Sequence, residues 1–257
     1  MDPDETQTIE TCPECGGTGF AVRLRGDVPR ASRCRCQAEG DAQRRLANAR
    51  IPARYGDCRL ETFVPQRTVL QAQAKAVAAR FVEEYPVGTG SVGLLFLGRP
   101  GVGKTHLAVS VLRSLILDKG VQGIFYDYGD LLRTIQSTWD RDSERSESEV
   151  LDPVTETEVL LLDDLGATRP SVWVQEILFH ILNRRYNDNR VTLLTSNHLD
   201  VAHEAAASEG RARDLREASL EHQVGIRLRS RLHEMCRTVP MDGEDFRKTF
   251  KRADFSA

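Results

Sequence analysis

The chain has 257 residues, of which 40% are hydrophobic and 28% charged, and its formal net charge is -3. This size allows one large or two small folded domains, and the slightly acidic balance excludes a general electrostatic attraction to nucleic acid. No apolar run reaches membrane-spanning length, and the start MDPDETQTIE is neither a signal nor a transit peptide. We therefore expect a cytoplasmic protein with no membrane partner.

Four of the six cysteines cluster near the start of the chain. Cys12 and Cys15 form a C-x-x-C pair, and Cys34 and Cys36 form a tighter C-x-C pair. In a cytosolic chain such a cluster favours a metal over disulfides, and four thiolates at about 2.3 Å make a closed structural zinc site. The alternative is a set of free cysteines in a flexible segment. The pattern predicts a zinc-binding module and linker over residues 1–50, with the ion supplying its folding energy.

The same region is locally basic. From Gly16 to Arg50 it contains eight arginines against three acids. Such a patch can meet nucleic acid or an acidic protein face, or it can be an ordinary solvated surface. The arginines are Arg23, Arg25, Arg30, Arg33, Arg35, Arg44, Arg45 and Arg50.

Strand and helix patterns alternate through the rest of the chain. Predicted helices span 40–50, 66–85, 105–119, 128–139, 173–190, 201–220 and 225–236; predicted strands span 91–97, 123–126, 159–162 and 191–195, with Val239 on an edge strand. Residues 139–158 carry eight acids and two arginines, which predicts an exposed, mobile connection with one short helix. The alternation predicts an α/β fold over residues 51–257, a three-layer sandwich around a parallel sheet.

Residues 98–105 (GRPGVGKT) match the phosphate-loop pattern G-x-x-x-x-G-K-[ST]. The match lies between a predicted strand and a predicted helix, which is the context this motif requires. Glycines let successive backbone N–H groups turn towards phosphate oxygens, and the helix N-terminus adds its positive dipole. Lys104 would reach the β- and γ-phosphates, and the Thr105 hydroxyl would bind Mg²⁺. The predicted nucleotide-binding residues are Gly98, Pro100, Gly101, Val102, Gly103, Lys104, Thr105 and His106.

A pair of acids follows the apolar run Val159–Leu162. A buried strand that ends in acid places a carboxylate at the carboxyl edge of the sheet, beside the phosphate loop. Asp163 would hold the Mg²⁺, directly or through water, and Asp164 would polarise the attacking water. An ordinary strand followed by a polar turn is the alternative.

Residues 50–250 resemble one family. The phosphate loop followed by VLLLDDLGATRPSVWVQEILFHILNRRY, LLTSN and GIRLRSRLHEMCRTV is similar to the AAA+ ATPases of the DnaC/DnaI helicase-loader and IstB transposition-helper group. IPARYGDCRLETF, residues 51–63, is similar to the segment that precedes the ATPase core in that group. The resemblance implies a P-loop NTPase (AAA+) fold that uses ATP and Mg²⁺. The short remainder after the last strand leads us to expect no C-terminal helical lid.

The resemblance also assigns roles to two polar residues. Asn197 matches the sensor-1 position, where an amide orients the lytic water; on the residues alone it reads as an asparagine in a turn. Arg231 matches the arginine finger that completes a neighbouring subunit's site, which implies a homo-oligomer; on the residues alone it reads as a solvated helix face. Asp164 stands where many AAA+ enzymes carry glutamate, so we expect a slow ATPase. The predicted catalytic residues are Lys104, Asp163, Asp164, Asn197 and Arg231.

Three functions compete at this point. The first is an ATPase that loads a replicative helicase onto single-stranded DNA, with the cysteine module contacting the helicase, as the resemblance to DnaI-type loaders implies. The second is an IstB-like transposition helper that acts on duplex DNA. The third is a nucleotide-gated zinc adaptor with negligible ATPase activity. The cysteine module favours the first.

Overall fold

A computed structural model describes residues 12–25, 28–65, 68–140, 145–198, 200 and 219–249. Five parallel strands form the central sheet in the order β4-β5-β6-β3-β7. These strands are β3 (Gly93–Gly98), β4 (Gly123–Asp127), β5 (Val159–Asp163), β6 (Val191–Ser196) and β7 (Cys236–Met241). The predicted parallel sheet is confirmed, with the strand that contains Val239 at one edge.

Helices cover both faces of this sheet, which explains why β3, β5 and β6 are buried along their whole length. The helices are α1 (Arg35–Asn48), α2 (Val69–Glu84), α3 (Lys104–Lys119), α4 (Tyr128–Ser137), α5 (Glu147–Glu156), α6 (Val172–Asn187), α7 (Leu220–Val224), α8 (Ile226–Met235) and α9 (Phe246–Thr249). One apolar cluster joins α2 and α3 to the sheet, and a second joins α4, α5, α6 and α8 to its other face. The three-layer sandwich is therefore confirmed.

Short polar side chains fix where several helices begin. Thr68, Asp127, Ser146 and Ser171 each accept a hydrogen bond from the backbone N–H three residues later. At Ser146 the Glu149 carboxylate also accepts a hydrogen bond from the backbone N–H of Ser146, which completes a capping box. These caps satisfy N–H groups that the first turn of a helix leaves without a partner.

The prediction for residues 139–158 is right about one short helix and wrong about the exposure of the second half. Helix α5 occupies that part, and its Val150 and Val154 are buried in the second apolar cluster. Eight acids in the segment suggested exposure, but α5 exposes Glu149 and Asp152 on one side and buries the valines, four residues apart, on the other. Most of the predicted helix over 201–220 lies outside the described residues.

The N-terminal region forms a hairpin followed by a helix. Strands β1 (Phe20–Arg25) and β2 (Val28–Arg33) pair antiparallel, and β2 is exposed throughout. Helix α1 starts earlier than predicted and reaches the central sheet at its end. Ala49 is fully buried there, and its carbonyl accepts a hydrogen bond from the N–H of Phe125 in β4 at 2.8 Å. The residue next to the predicted boundary after residue 50 thus contacts the central sheet.

Candidate nucleotide site and cysteine cluster

The phosphate loop joins β3 to α3 and depends on two glycines. Gly101 and Gly103 have φ values of 81° and 95°, in the left-handed region that favours glycine. A Cβ on Gly101 would lie 1.9 Å from the Asp245 carboxylate, and one on Gly103 would lie 2.5 Å from the Phe63 ring. Both the backbone conformation and the packing therefore disfavour any residue with a Cβ at these two positions.

Lys104 lies at the centre of the site and is only 6% exposed. Its Nζ donates to the carbonyls of Gly98 at 2.8 Å and Arg99 at 2.9 Å, and to Asn197 Oδ1 at 2.7 Å. Burial lowers the pKa of Lys104 to about 8, against the opposing attraction of Asp164 and Asp163. The lysine therefore sits in a dry place where an added anion would favour its charged form.

Thr105 and Asp163 are brought together as predicted for a magnesium site. The Thr105 hydroxyl donates to Asp163 Oδ1 at 2.8 Å, and the hydroxyl of Thr195 donates to the same oxygen at 2.6 Å. Burial raises the pKa of Asp163, while these two hydrogen bonds oppose the rise. A hydroxyl beside a carboxylate oxygen is a donor set that suits Mg²⁺.

Asp164 and Asn197 complete a connected polar network. The Asn197 amide nitrogen donates to Asp164 Oδ1, while its oxygen accepts from Lys104. Asp164 has a φ of 59°, and its N–H donates to the Thr195 hydroxyl at 2.9 Å. Asn197 thus bridges the lysine and the second acid.

Thr195 was missed by the sequence reasoning although it contacts both acids. The pairing of β5 with β6 predicts the position of Thr195. Once β5 and β6 are neighbours, a hydroxyl near the end of LLTSN must lie beside the acids that end β5.

The segment 51–63 packs against the loop and the start of α3. The His106 ring lies 5.5 Å from the Phe63 ring, and its Nε2 lies 3.1 Å from the Arg59 carbonyl oxygen. Val102 is buried and its carbonyl accepts from Gln71 Nε2 at 3.1 Å. Of the other predicted loop residues, Gly98 is buried and Pro100 is exposed.

Arg231 does not join this network in the isolated chain. It lies on α8, where its Nη1 donates to Asn183 Oδ1. Its guanidinium carbon lies 4.3 Å from the centre of the Tyr186 ring, so the side chain rests on α6. Of the predicted catalytic residues, the structure brings together Lys104, Asp163, Asp164 and Asn197 and places Arg231 apart from them.

The four clustered cysteines converge on one point. Their sulfur atoms all lie within 4.8 Å of one another, while Cys58 and Cys236 are buried elsewhere. A hydrogen bond from the Gly19 N–H to Cys15 Sγ is the main cause that lowers the pKa of Cys15 to about 6. Four converging thiols are a donor set that fits a tetrahedral zinc ion.

A parallel sheet with a phosphate loop after one strand and an acid pair after another is the arrangement of the P-loop NTPases. Within that class, the profile of the family described as IstB-like ATP binding protein matches residues 90–253. The chain belongs to this family, which confirms the resemblance seen in the sequence.

Named relatives agree with this assignment. The replicative helicase loader DnaC of Escherichia coli K12 is 27% identical over 161 residues, covering 62% of this chain and 63% of the relative. DnaC of Buchnera aphidicola from Schizaphis graminum is 31% identical over 159 residues, covering 60% and 61%. The chain therefore spans less than two thirds of the length of these curated relatives.

Solved structures give the same picture. The crystal structure of the DnaC helicase loader is 32% identical, with a TM-score of 0.61, and the match covers 74% of this chain and 100% of that one. The crystal structure of DnaI is 25% identical, with a TM-score of 0.58, covering 76% and 94%. In the described part of this chain, no helix is both long and apolar enough to cross a membrane.

Proposed function

We propose that the chain is an ATPase that loads a replicative helicase onto single-stranded DNA. The observation that carries this proposal is the match to the DnaC helicase loader over the whole of that solved chain. The match to the IstB-like profile, residues 90–253, includes the phosphate loop and both acids, which supports ATP binding.

The network around Lys104 supports ATP binding and hydrolysis. The Lys104 amine donates to two loop carbonyls and to Asn197. Phosphate oxygens would replace the carbonyls, and the lysine would gain a counter-charge in a buried place. Thr105 and Asp163 would hold Mg²⁺, which neutralises phosphate charge.

Asp164 and Asn197 would activate the attacking water. Asp164 would accept its proton, and the hydrogen bond from Asn197 fixes the orientation of that carboxylate. The arm of aspartate is one methylene shorter than that of glutamate. We therefore expect slow turnover that DNA or a partner stimulates.

We propose that the cysteine module binds the helicase. Its hairpin exposes Phe20, Val22 and Val28, which are 51%, 69% and 59% exposed. Apolar side chains beside arginines on an exposed strand suit contact with a protein partner. Zinc held by Cys12, Cys15, Cys34 and Cys36 would fix the shape of this surface.

Arg231 is proposed to act on the site of a neighbouring copy, which makes the working form a homo-oligomer. Its present partners, Asn183 and Tyr186, lie on its own α6. Mixing an Arg231→Ala chain with a Lys104→Ala chain tests this role. Activity restored in the mixture supports action in trans, and no restoration at any ratio contradicts it.

The runner-up function is an IstB-like transposition helper that acts on duplex DNA, which the matching family profile favours. The type of DNA that stimulates ATP turnover separates the two. Stronger stimulation by single strands supports the loader, and stronger stimulation by duplex supports the helper. No turnover with either DNA would favour the zinc adaptor.

Capture of the replicative helicase of the source organism by the full-length chain tests the leading proposal. We expect capture with ATP and Mg²⁺, weaker capture by Lys104→Ala, and little capture by Cys15→Ser. Lys119→Ala is the matched control, because Lys119 is an exposed lysine at the far end of the same helix. No capture by the wild-type chain under any nucleotide condition would contradict helicase loading.

A further inference from the structure

Asp200 joins the segment after β6 to α8, the helix that carries Arg231. Its Oδ1 accepts a hydrogen bond from Arg229 Nε at 2.6 Å, and its Oδ2 lies 2.9 Å from His233 Nε2. Arg229 and His233 lie four residues apart on α8, so both project from the same side of that helix. The carboxylate therefore contacts α8 at two points that are one helical turn apart.

Glu221 on α7 adds a second carboxylate to this cluster. Its Oε2 accepts from Arg229 Nη1 at 2.9 Å, so the guanidinium joins two acids. The side chain of Arg229 is 23% exposed, and those of Asp200 and Glu221 are each 15% exposed. Water and salt screen such enclosed pairs less than they screen pairs on an open surface. The cluster therefore fixes the corner between α7 and α8.

The same segment also belongs to the nucleotide site. Asn197, which accepts a hydrogen bond from Lys104, precedes Asp200 by three residues, and three residues span at most about 11 Å. Next to it, His198 Nε2 lies 3.0 Å from the carbonyl oxygen of Gly166, in the loop that follows the acid pair. The segment thus contacts the nucleotide site through Asn197 and α8 through Asp200.

Arg231 projects from the other side of α8. Residues two positions apart on a helix point in nearly opposite directions, so Arg231 faces away from the side that Asp200 contacts and rests on α6. Leu228 and Leu232 bury a further side of α8 in the second apolar cluster. Apolar packing is non-directional, whereas the hydrogen bond to Asp200 has a required direction. The carboxylate therefore fixes the rotation of α8, and with it the direction in which Arg231 projects.

We propose that Asp200 is a positioning residue for ATP hydrolysis at the site of a neighbouring copy, because it holds α8 in the rotation from which Arg231 reaches that site. The proposal rests on the proposed action of Arg231 in trans. Asp200 itself touches none of the reacting atoms. Since Asp200 follows Asn197 so closely, the arginine that a chain lends is set relative to that chain's own nucleotide site.

ATP turnover in mixtures of full-length chains tests the two directions of this contact separately. Mixed with Lys104→Ala, an Asp200→Asn chain uses its own ATP site and receives the partner's arginine. Mixed with Arg231→Ala, it has to lend its own arginine. We expect full restoration in the first mixture, relative to Arg231→Ala with Lys104→Ala, and about tenfold less in the second, as for loss of one charge-assisted hydrogen bond.

Two further variants complete the experiment. Asp200→Glu should recover part of the lending activity, because it restores the charge at a shifted position. Asp188→Asn is the matched control, since its carboxylate lies 3.9 Å from Arg184 and is 48% exposed. It should lend its arginine as well as the wild type does. In Asp200→Asn the guanidinium of Arg229 keeps Glu221 as its partner, so the change leaves no unpaired enclosed charge.

Three results would overturn the proposal. The first is an Asp200→Asn chain that lends its arginine as well as the wild type. The second is an equal loss in both mixtures, or a loss in the first alone, which would assign Asp200 to the folding of the chain or to its own site. The third is no restoration in the reference mixture of Arg231→Ala with Lys104→Ala. That result alone contradicts the action of Arg231 in trans, so the failure of the larger proposal is distinguishable from the failure of this one.

Discussion

The nucleotide site and the cysteine module differ in what holds their structure. The nucleotide site is formed by the ends of buried strands, and its polar network rests on side chains such as Asp163 and Lys104 that the core encloses. The module has an exposed hairpin and places few side chains in a core, with Ala21, Cys34 and Ala42 among its buried residues. The nucleotide site takes its geometry from the fold, whereas we expect the module to take its fold from a metal ion held by its cysteines.

This difference predicts how each region fails. A change in the nucleotide site should remove function and leave structure. A change in the cysteine cluster should remove local structure, because a segment of this size cannot bury enough apolar surface to fold alone. The predictions below run from the largest expected effect to the smallest.

Loss of the metal should have the largest effect. Structural zinc contributes about 10–16 kcal/mol of apparent binding free energy in small zinc peptides, so Cys15→Ser should unfold the hairpin. Elemental analysis should give about one zinc per wild-type chain and close to none in the variant. Hydrogen exchange should accelerate in β1 and β2 and not in the central sheet.

Cys58→Ser is the control, because Cys58 is buried outside the cluster. It should keep its zinc. A wild-type chain with no zinc and six freely titratable thiols would contradict the metal site.

Removal of the phosphate-loop lysine should have the next largest effect. Lys104→Ala should weaken ATP binding about a hundredfold, because more than one charge-assisted contact is lost. Its urea unfolding curve should keep the cooperativity of the wild type, since the packing of the strands does not involve this side chain. An ATP affinity close to wild type would show that the loop does not bind phosphate as assigned.

Raising the pH should weaken ATP binding gradually. The pKa of Lys104 is lowered to about 8 by burial, and phosphate binds the protonated form. Affinity should therefore be steady below pH 8 and fall by about tenfold per pH unit above it, for as long as binding takes up one proton. Titrations between pH 7 and 9.5 measure this, and the Lys104→Ala chain should lack the dependence. A flat wild-type profile would contradict the lowered pKa.

The smallest effect is expected from an ion pair in the module. Arg35 and Glu39 lie 2.6 Å apart on α1, but both side chains are largely exposed. Water screens such pairs, so Glu39→Gln should leave the melting temperature and the zinc content unchanged. A clear loss of either would mean that surface charge, and not the thiol cluster, holds the module together.

Sequence patterns predicted the elements whose signals are local. The apolar runs, the glycines of the loop and the acid pair each lie within about ten residues, and the structure places Lys104, Thr105, Asp163 and Asn197 together as expected. The metal-binding spacing of the four cysteines likewise predicted that their sulfur atoms lie close together.

Contacts between distant parts of the chain were not predictable in the same way. The hydrogen bond from Phe246 to Gly101 joins residues more than a hundred positions apart, and neither sequence neighbourhood indicates it. The acids of α5 outnumber its apolar residues, so its composition did not predict that one side of the helix is buried. For Arg231, helical spacing placed the residue on α8 but could not show that its side chain rests on Tyr186.

The most direct test of the central claim is the affinity of the full-length chain for ATP with Mg²⁺, measured before and after zinc is removed by a chelator. The nucleotide site is built by the sheet, and the contact between Ala49 and Phe125 does not involve the metal. The account predicts that the two dissociation constants agree within about twofold, as for independent sites. A parallel loss of ATP affinity and zinc would contradict it, because the nucleotide site would then depend on the module.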